Sequence, residues 1–195
     1  MTPPPFLLGE RIYLRPLQIE DIEGPYINWF NDKEVCRGNS HHIFPHTLED
    51  IREYISTSHK KMQDQLILAI ISKNDDIHIG NIALQNIQPV VRSAEVSIII
   101  GEKTYWSKGF GKEAFRLICD HGFRSMNMSR ISCGTFETNT GMIKIAHYIG
   151  MKEEGRRRHA AFKEGKFLDI IEFGILKEEY EQLWFAGEGV QNERK

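Results

Sequence analysis

Polar and apolar residues alternate along Arg11-Ile12-Tyr13-Leu14-Arg15, the period of a strand with one covered face, and Pro16 ends it. Asp21 to about Phe30 predicts a short helix, with acidic residues at its start and Asn31-Asp32 at its stop. A polar, histidine-rich loop runs from Cys36 to Pro45. A second helix begins at Thr47, where Thr-x-x-Asp resembles a capping box and Ile51, Tyr54 and Ile55 share one face. Leu66 to Ser72 is nearly all apolar and reads as a central strand, which Lys73-Asn74-Asp75-Asp76 turns into a partner at His78–Leu84. Another strand spans Ala94–Ile100. In the helix after Gly111, Phe115, Ile118, Cys119 and Gly122 recur at i, i+3, i+4 and i+7, so that face packs inward. Arg130–Phe136 is strand-like, and Asn139–Ile149 is helical, with Asn139 as N-cap and Gly150 as stop. Two strands near Met151–Phe162 and Phe167–Leu176 flank a turn at Lys163-Glu164-Gly165, before a short charged helix.

Strands in a run, then alternating with helices, then closing in a hairpin predict a mixed α/β (α+β) sheet covered by helices. Its 195 residues suit one domain, placed at 8–185, with a flexible tail at 186–195. The formal charge of −2 offers no basic excess for nucleic acid. No apolar run is long enough to cross a bilayer, and the N-terminus lacks the basic and apolar regions of a secretion signal. Cys36, Cys119 and Cys133 therefore read as reduced, buried thiols of a cytoplasmic protein.

The strongest chemical signal is an order of elements. The strand at Ala94–Ile100 passes through Gly101 to Tyr105-Trp106-Ser107-Lys108-Gly109-Phe110-Gly111, and a helix starts at once. Unpaired amides and a partial positive charge at a helix start can hold a phosphate, and glycines allow its close approach. Gly-x-Gly after a lysine is too short for a Walker loop and lacks the third glycine of a dinucleotide fingerprint.

Four segments together resemble the GNAT superfamily of acetyl-CoA-dependent N-acetyltransferases, in its branch of ribosomal-protein N-terminal acetyltransferases (the RimJ/RimL type). They are Gly9–Leu17 with Asp21; Ile79-Gly80-Asn81-Ile82; Ala94-Glu95 through Trp106–Ala114; and Asn139 through Arg156 with Phe162–Lys166. The resemblance implies a central, mostly antiparallel sheet of about seven strands flanked by helices. It also implies a bulged signature strand splayed from its neighbour, with acetyl-CoA in the gap. It assigns pantetheine contacts to the backbone of Ile98, Ile99 and Ile100 and to the Asn139 side chain. Donor contacts fall to Trp106 and Ser107, and diphosphate contacts to the amides of Lys108, Gly109, Phe110, Gly111 and Lys112. A homodimer is a further expectation of the family.

Acetylation needs a neutral amine, a stabilised oxyanion and a leaving thiol. An alkyl amine with pKa about 10.4 is neutral in under about one molecule per thousand at pH 7, so a base is useful. Glu95, at the start of the signature strand, is the favoured base, with Glu137 second; an amide near Ile99 is the expected oxyanion donor. Where many members carry an acidic tyrosine this chain has Ala146, and Met142 replaces a usual serine. Tyr148 lies about 200° further around the helix and is the remaining proton donor. By analogy, Asn31, His41 and His42 shape the acceptor site. Cys36, His41, His42 and His46 match no zinc spacing, so no metal is expected. Arg156-Arg157-Arg158 reads as a solvated strand face. Segments Trp29–Val35 and Arg92–Glu95 also resemble enzymes acting on nucleotide-linked amino sugars. The acceptor is thus read as a small amine such as an amino sugar. A protein N-terminus, polyamines and antibiotics remain as other acceptors, and a non-catalytic CoA sensor or a nucleotide-binding domain as other functions.

Overall fold

The computed structural model describes residues 4–58 and 64–186. Its strands are β1 (Leu7–Leu8), β2 (Ile12–Pro16), β3 (Leu66–Ser72), β4 (His78–Gln88), β5 (Ser93–Ile100), β6 (Arg130–Phe136), β7 (Lys152–Lys163) and β8 (Lys166–Leu176). They form one eight-stranded sheet in the order β1-β2-β3-β4-β5-β6-β8-β7. Every pairing among the described residues is antiparallel except β5 with β6. The helices are α1 (Tyr26–Asn31), α2 (Leu48–Ser58), α3 (Phe110–Arg124), α4 (Thr140–Ile149) and α5 (Lys177–Trp184).

Each sheet face has its own core. On one side Phe115, Ile118, Cys119 and Phe123 of α3 and Ala146 and Ile149 of α4 pack on Val96, Ile131, Phe173 and Ile175. On the other, Tyr26, Trp29 and Phe30 of α1 and Ile51 and Ile55 of α2 pack on Ala69 and Ile71. The expected inward face of α3 is therefore correct. So is the box opening α2: Thr47 N–H donates to Asp50 Oδ2 (2.8 Å) and Asp50 N–H returns to Thr47 Oγ1 (3.2 Å).

The expected sheet of about seven mostly antiparallel strands is present with eight, the two-residue β1 pairing with Leu14 and Tyr13. Two expectations need correction. The single helix expected from Asp21 to Phe30 is two pieces, a 3-10 turn at Ile19–Glu23 and then α1. Gly24-Pro25 separates them, since proline disfavours the helical region for the residue before it. The bulge expected on the signature strand is carried by its neighbour. Gln85–Gln88 of β4 spans Glu95–Ser93 of β5 with one residue extra, and Asn86 there has φ 51°. The tail expected at 186–195 lies, from residue 187 on, outside the described residues.

Candidate active site

β5 and β6 are in register at Ser93↔Arg130, Ala94↔Ile131 and Glu95↔Ser132, and no further. Beyond that point the parallel strands part, leaving a gap that opens toward their C-terminal ends. The phase of the backbone decides which amides face it. Lys73 N–H donates to Arg11 O, which turns even-numbered β3 residues, and hence Gly80 and Ile82 of β4, toward each other. Odd-numbered β4 residues then bond to β5, in agreement with Gly101 N–H donating to Ile79 O (2.9 Å). Ile99 thus exchanges its hydrogen bonds with Asn81, whereas Ile98 and Ile100 direct theirs to the gap. The oxyanion donor expected near Ile99 is therefore not that residue's own amide; the gap-facing amides belong to Ile98 and Ile100. The side chains divide in the same way, Ile98 and Ile100 toward α3 and Ile99 into the opposite core.

Trp106 donates its indole N–H to Ile100 O (2.7 Å), so it closes one carbonyl of the gap. Ser107 follows with φ 59°, and Gly109 caps α3 with φ 88°, a left-handed value that glycine adopts freely. The first amides of α3, over Phe110, Gly111 and Lys112, lie at the C-terminal end of β5. A Cβ on Gly111 would sit 3.1 Å from Ile145 Cδ1 and 3.8 Å from both Ile98 and Ile100. That glycine keeps the first turn close to the gap.

Asn139 caps α4 as expected: its Oδ1 accepts from Met142 N–H (3.1 Å). Its Nδ2 donates to Gly38 O (3.0 Å), tying α4 to the loop before α2. Tyr148 packs edge-on against Trp184, and Lys112 Nζ lies 4.6 Å above its ring. That contact sets Tyr148 beside the first turn of α3, while Ala146 is wholly buried. Glu95 is half-buried at the apex of the gap, on the face away from α3, and accepts from Asn86 Nδ2 (2.9 Å). Glu137, the second candidate base, is already engaged by Arg156 (2.9 Å) and Asp169 N–H (3.0 Å). Arg157 pairs with Glu172 (2.6 Å), so the arginine run lies on an exposed, ion-paired strand.

Of the residues expected to shape the acceptor site, Asn31 spends both ends of its amide on His46, donating to the carbonyl and accepting from the N–H, each at 2.9 Å. It shapes the loop through backbone contacts. His41 packs edge-on against Phe30; desolvation, then His46 and Lys163, lower its pKa. His42 is exposed with φ 65°. Cys36 is buried, with its thiol donating to Trp29 O (3.2 Å). Lys163, at the β7–β8 turn, donates to His41 O (2.6 Å), so that hairpin braces the same loop. Glu102 accepts from the Trp29 indole (2.9 Å), and Lys103 joins Asp32 and Glu34.

Sequence reading missed Arg11 as a site residue. From the turn between β1 and β2 it bonds Glu113 and the Lys108 carbonyl at the start of α3, contacts about a hundred positions apart that local periodicity does not report.

The family model described as "Acetyltransferase (GNAT) domain" matches residues 11–152. Uncharacterized N-acetyltransferase p20 of Bacillus licheniformis is 29% identical over 178 residues, covering 89% of this chain and 97% of that protein. Spermidine N(1)-acetyltransferase of Escherichia coli (strain K12) is 28% identical over 170 residues, covering 87% and 88%. The crystal structure of spermidine N-acetyltransferase from Vibrio cholerae with CoA and spermine has a TM-score of 0.78. At 22% identity, over 87% of this chain and 98% of that one, its likeness speaks to the fold.

Proposed function

Because the chain belongs to the GNAT acetyltransferase family, we propose that it moves the acetyl group of acetyl-CoA onto a primary amine of a small molecule, by direct attack in a ternary complex. The observation that carries this reading is the parting of β5 and β6 directly after Glu95↔Ser132, with the glycine turn at the far end of β5.

In this reading the pantetheine arm extends along the gap and bonds to Ile98, while the first amides of α3 receive the diphosphate. An amide of Ile98 or Ile100 meets the oxyanion as the amine attacks. Glu95, at the apex, takes the amine proton directly or through water, offsetting a handicap of about 4–5 kcal/mol for an alkylamine at pH 7. The departing thiolate takes its proton from water or from Tyr148, whose ring packs under Lys112 of the first α3 turn. With a thiol pKa of about 8.5 the thiolate is a tolerable leaving group.

Two acceptor classes have support. The amino-sugar reading rests on the Trp29–Val35 and Arg92–Glu95 segments. The polyamine reading rests on the relatives named for spermidine and on the Glu95 carboxylate at the apex of the gap, a counter-charge for a cationic amine. The RimJ/RimL resemblance supplies a third class, a peptide N-terminus. Release of CoA thiol from acetyl-CoA is the test, run against amino sugars, spermidine and spermine, and short peptides. Turnover with one class is expected. Donor binding by thermal shift with no turnover on any class would leave a CoA sensor instead.

A further inference from the structure

The geometry points to Arg11 as the positioning residue of the donor loop, holding the Lys108 carbonyl away from the ligand so that the amides from Gly109 onward converge on one anion. The inference rests on the reading that Lys108–Lys112 take the diphosphate. Arg11 is itself fixed through its main chain: its N–H donates to Glu113 Oε1 (2.8 Å) and its carbonyl accepts from Lys73 N–H (2.9 Å). From that anchor the guanidinium reaches the loop. Nε donates to Glu113 Oε2 (3.0 Å), Nη1 donates to Lys108 O (2.9 Å), and the plane lies 4.7 Å from the Phe110 ring centre. A Cβ on Gly109 would come within 3.1 Å of Nη2.

One planar cation therefore touches residues 108, 109 and 110 and the α3 glutamate behind them. The carbonyl of Lys108 and the N–H of Gly109 belong to one planar trans peptide and point in opposite directions. Drawing that carbonyl toward Arg11 aims the Gly109 N–H the other way, and the left-handed turn at Gly109 continues into the amides of α3. Arg11 then acts on the donor without needing to touch it. A fork with fixed donors suits this role better than a lysine, whose single ammonium cannot hold both Glu113 and the carbonyl in the same geometry. The pair is partly exposed, 44% for Arg11 and 17% for Glu113, so its main effect is on loop direction rather than on global stability.

The experiment is a titration of the full chain with acetyl-CoA and with S-acetylpantetheine, the same thioester without the diphosphate, alongside ligand-free Tm. Arg11→Ala should weaken acetyl-CoA about ten-fold, the worth of one hydrogen bond involving a charged group, and leave S-acetylpantetheine unchanged. Arg11→Lys should recover part of the loss. Equal weakening of both donors, or a lower Tm with acetyl-CoA affinity intact, would make Arg11 a structural staple and overturn the inference. Gly111→Val separates the underlying reading: if it weakens neither donor, the loop does not hold the diphosphate. If it weakens acetyl-CoA while Arg11→Ala does not, only the role of Arg11 fails.

Discussion

Glu95 and Ser132 form the last registered pair between β5 and β6, which puts the carboxylate at the point where the sheet opens. Its Oε2 accepts a hydrogen bond from Asn86 Nδ2 (2.9 Å). Glutamine at this position keeps a carbonyl oxygen for that contact but cannot take a proton. Glu95→Gln should lower kcat about a hundred-fold while acetyl-CoA affinity stays at the wild-type value. Steady-state release of CoA thiol with a saturating acceptor checks it; an undiminished kcat removes Glu95 as the base.

Asn139 is a cap and a tether together. Asn139→Ala should cost about 1 kcal/mol from the lost cap, read as a lower denaturation midpoint. Its Nδ2 also holds Gly38 O, so acceptor KM should rise more than acetyl-CoA KM. Asn139→Asp keeps the capping oxygen without the donor, so it should retain stability yet still raise acceptor KM.

The buried ion pair of Arg15 and Asp21 gives a pH signature. Burial works to raise the Asp21 pKa, but Arg15, His78 and Gln18 N–H outweigh it and leave the carboxyl well below its ordinary value. Both side chains are under 10% exposed. A depressed folded pKa contributes stability above the unfolded value, lost as pH falls toward the folded one. Asp21→Asn should therefore cost about 3–5 kcal/mol at pH 7, because Arg15 keeps its buried charge without a counter-ion. The gap to wild type should narrow below about pH 4. Urea midpoints at pH 7 and pH 3 measure both.

The thiols should be silent. Burial pushes Cys133 up to about 12, with Glu95 and Glu172 adding to it, and raises Cys119 and Cys36 as well. A thiol held protonated and out of solvent is a poor nucleophile. Ellman's reagent at pH 8 should find no fast thiol in the native protein and three after unfolding.

Much of the fold was legible because its signals are local. The i, i+3, i+4, i+7 pattern placed the buried face of α3, and Asn139 and Gly150 marked both ends of α4. β1 escaped, since two residues carry no period, and Gly24-Pro25 broke a helix that the apolar pattern alone carries through. The site was legible as a loop and a strand but not as a geometry. Which β5 amides face the gap depends on a hydrogen-bond phase relayed from Arg11 through β3 and β4, and only the assembled sheet fixes it. Asn31 was placed at the acceptor site by analogy alone, and its hydrogen bonds to the His46 backbone, fifteen residues on, exist only in the folded loop.

Strand β5 is the wall shared by two rooms. Ile99 faces the aromatic cluster of α1, Ile98 and Ile100 face α3, and the Trp29 ring fills the place a Cβ on Gly101 would need. Whatever moves one of these two cores against the partition is felt on the other side, and any factor by which one ligand changes the binding of a second is returned by the second to the first.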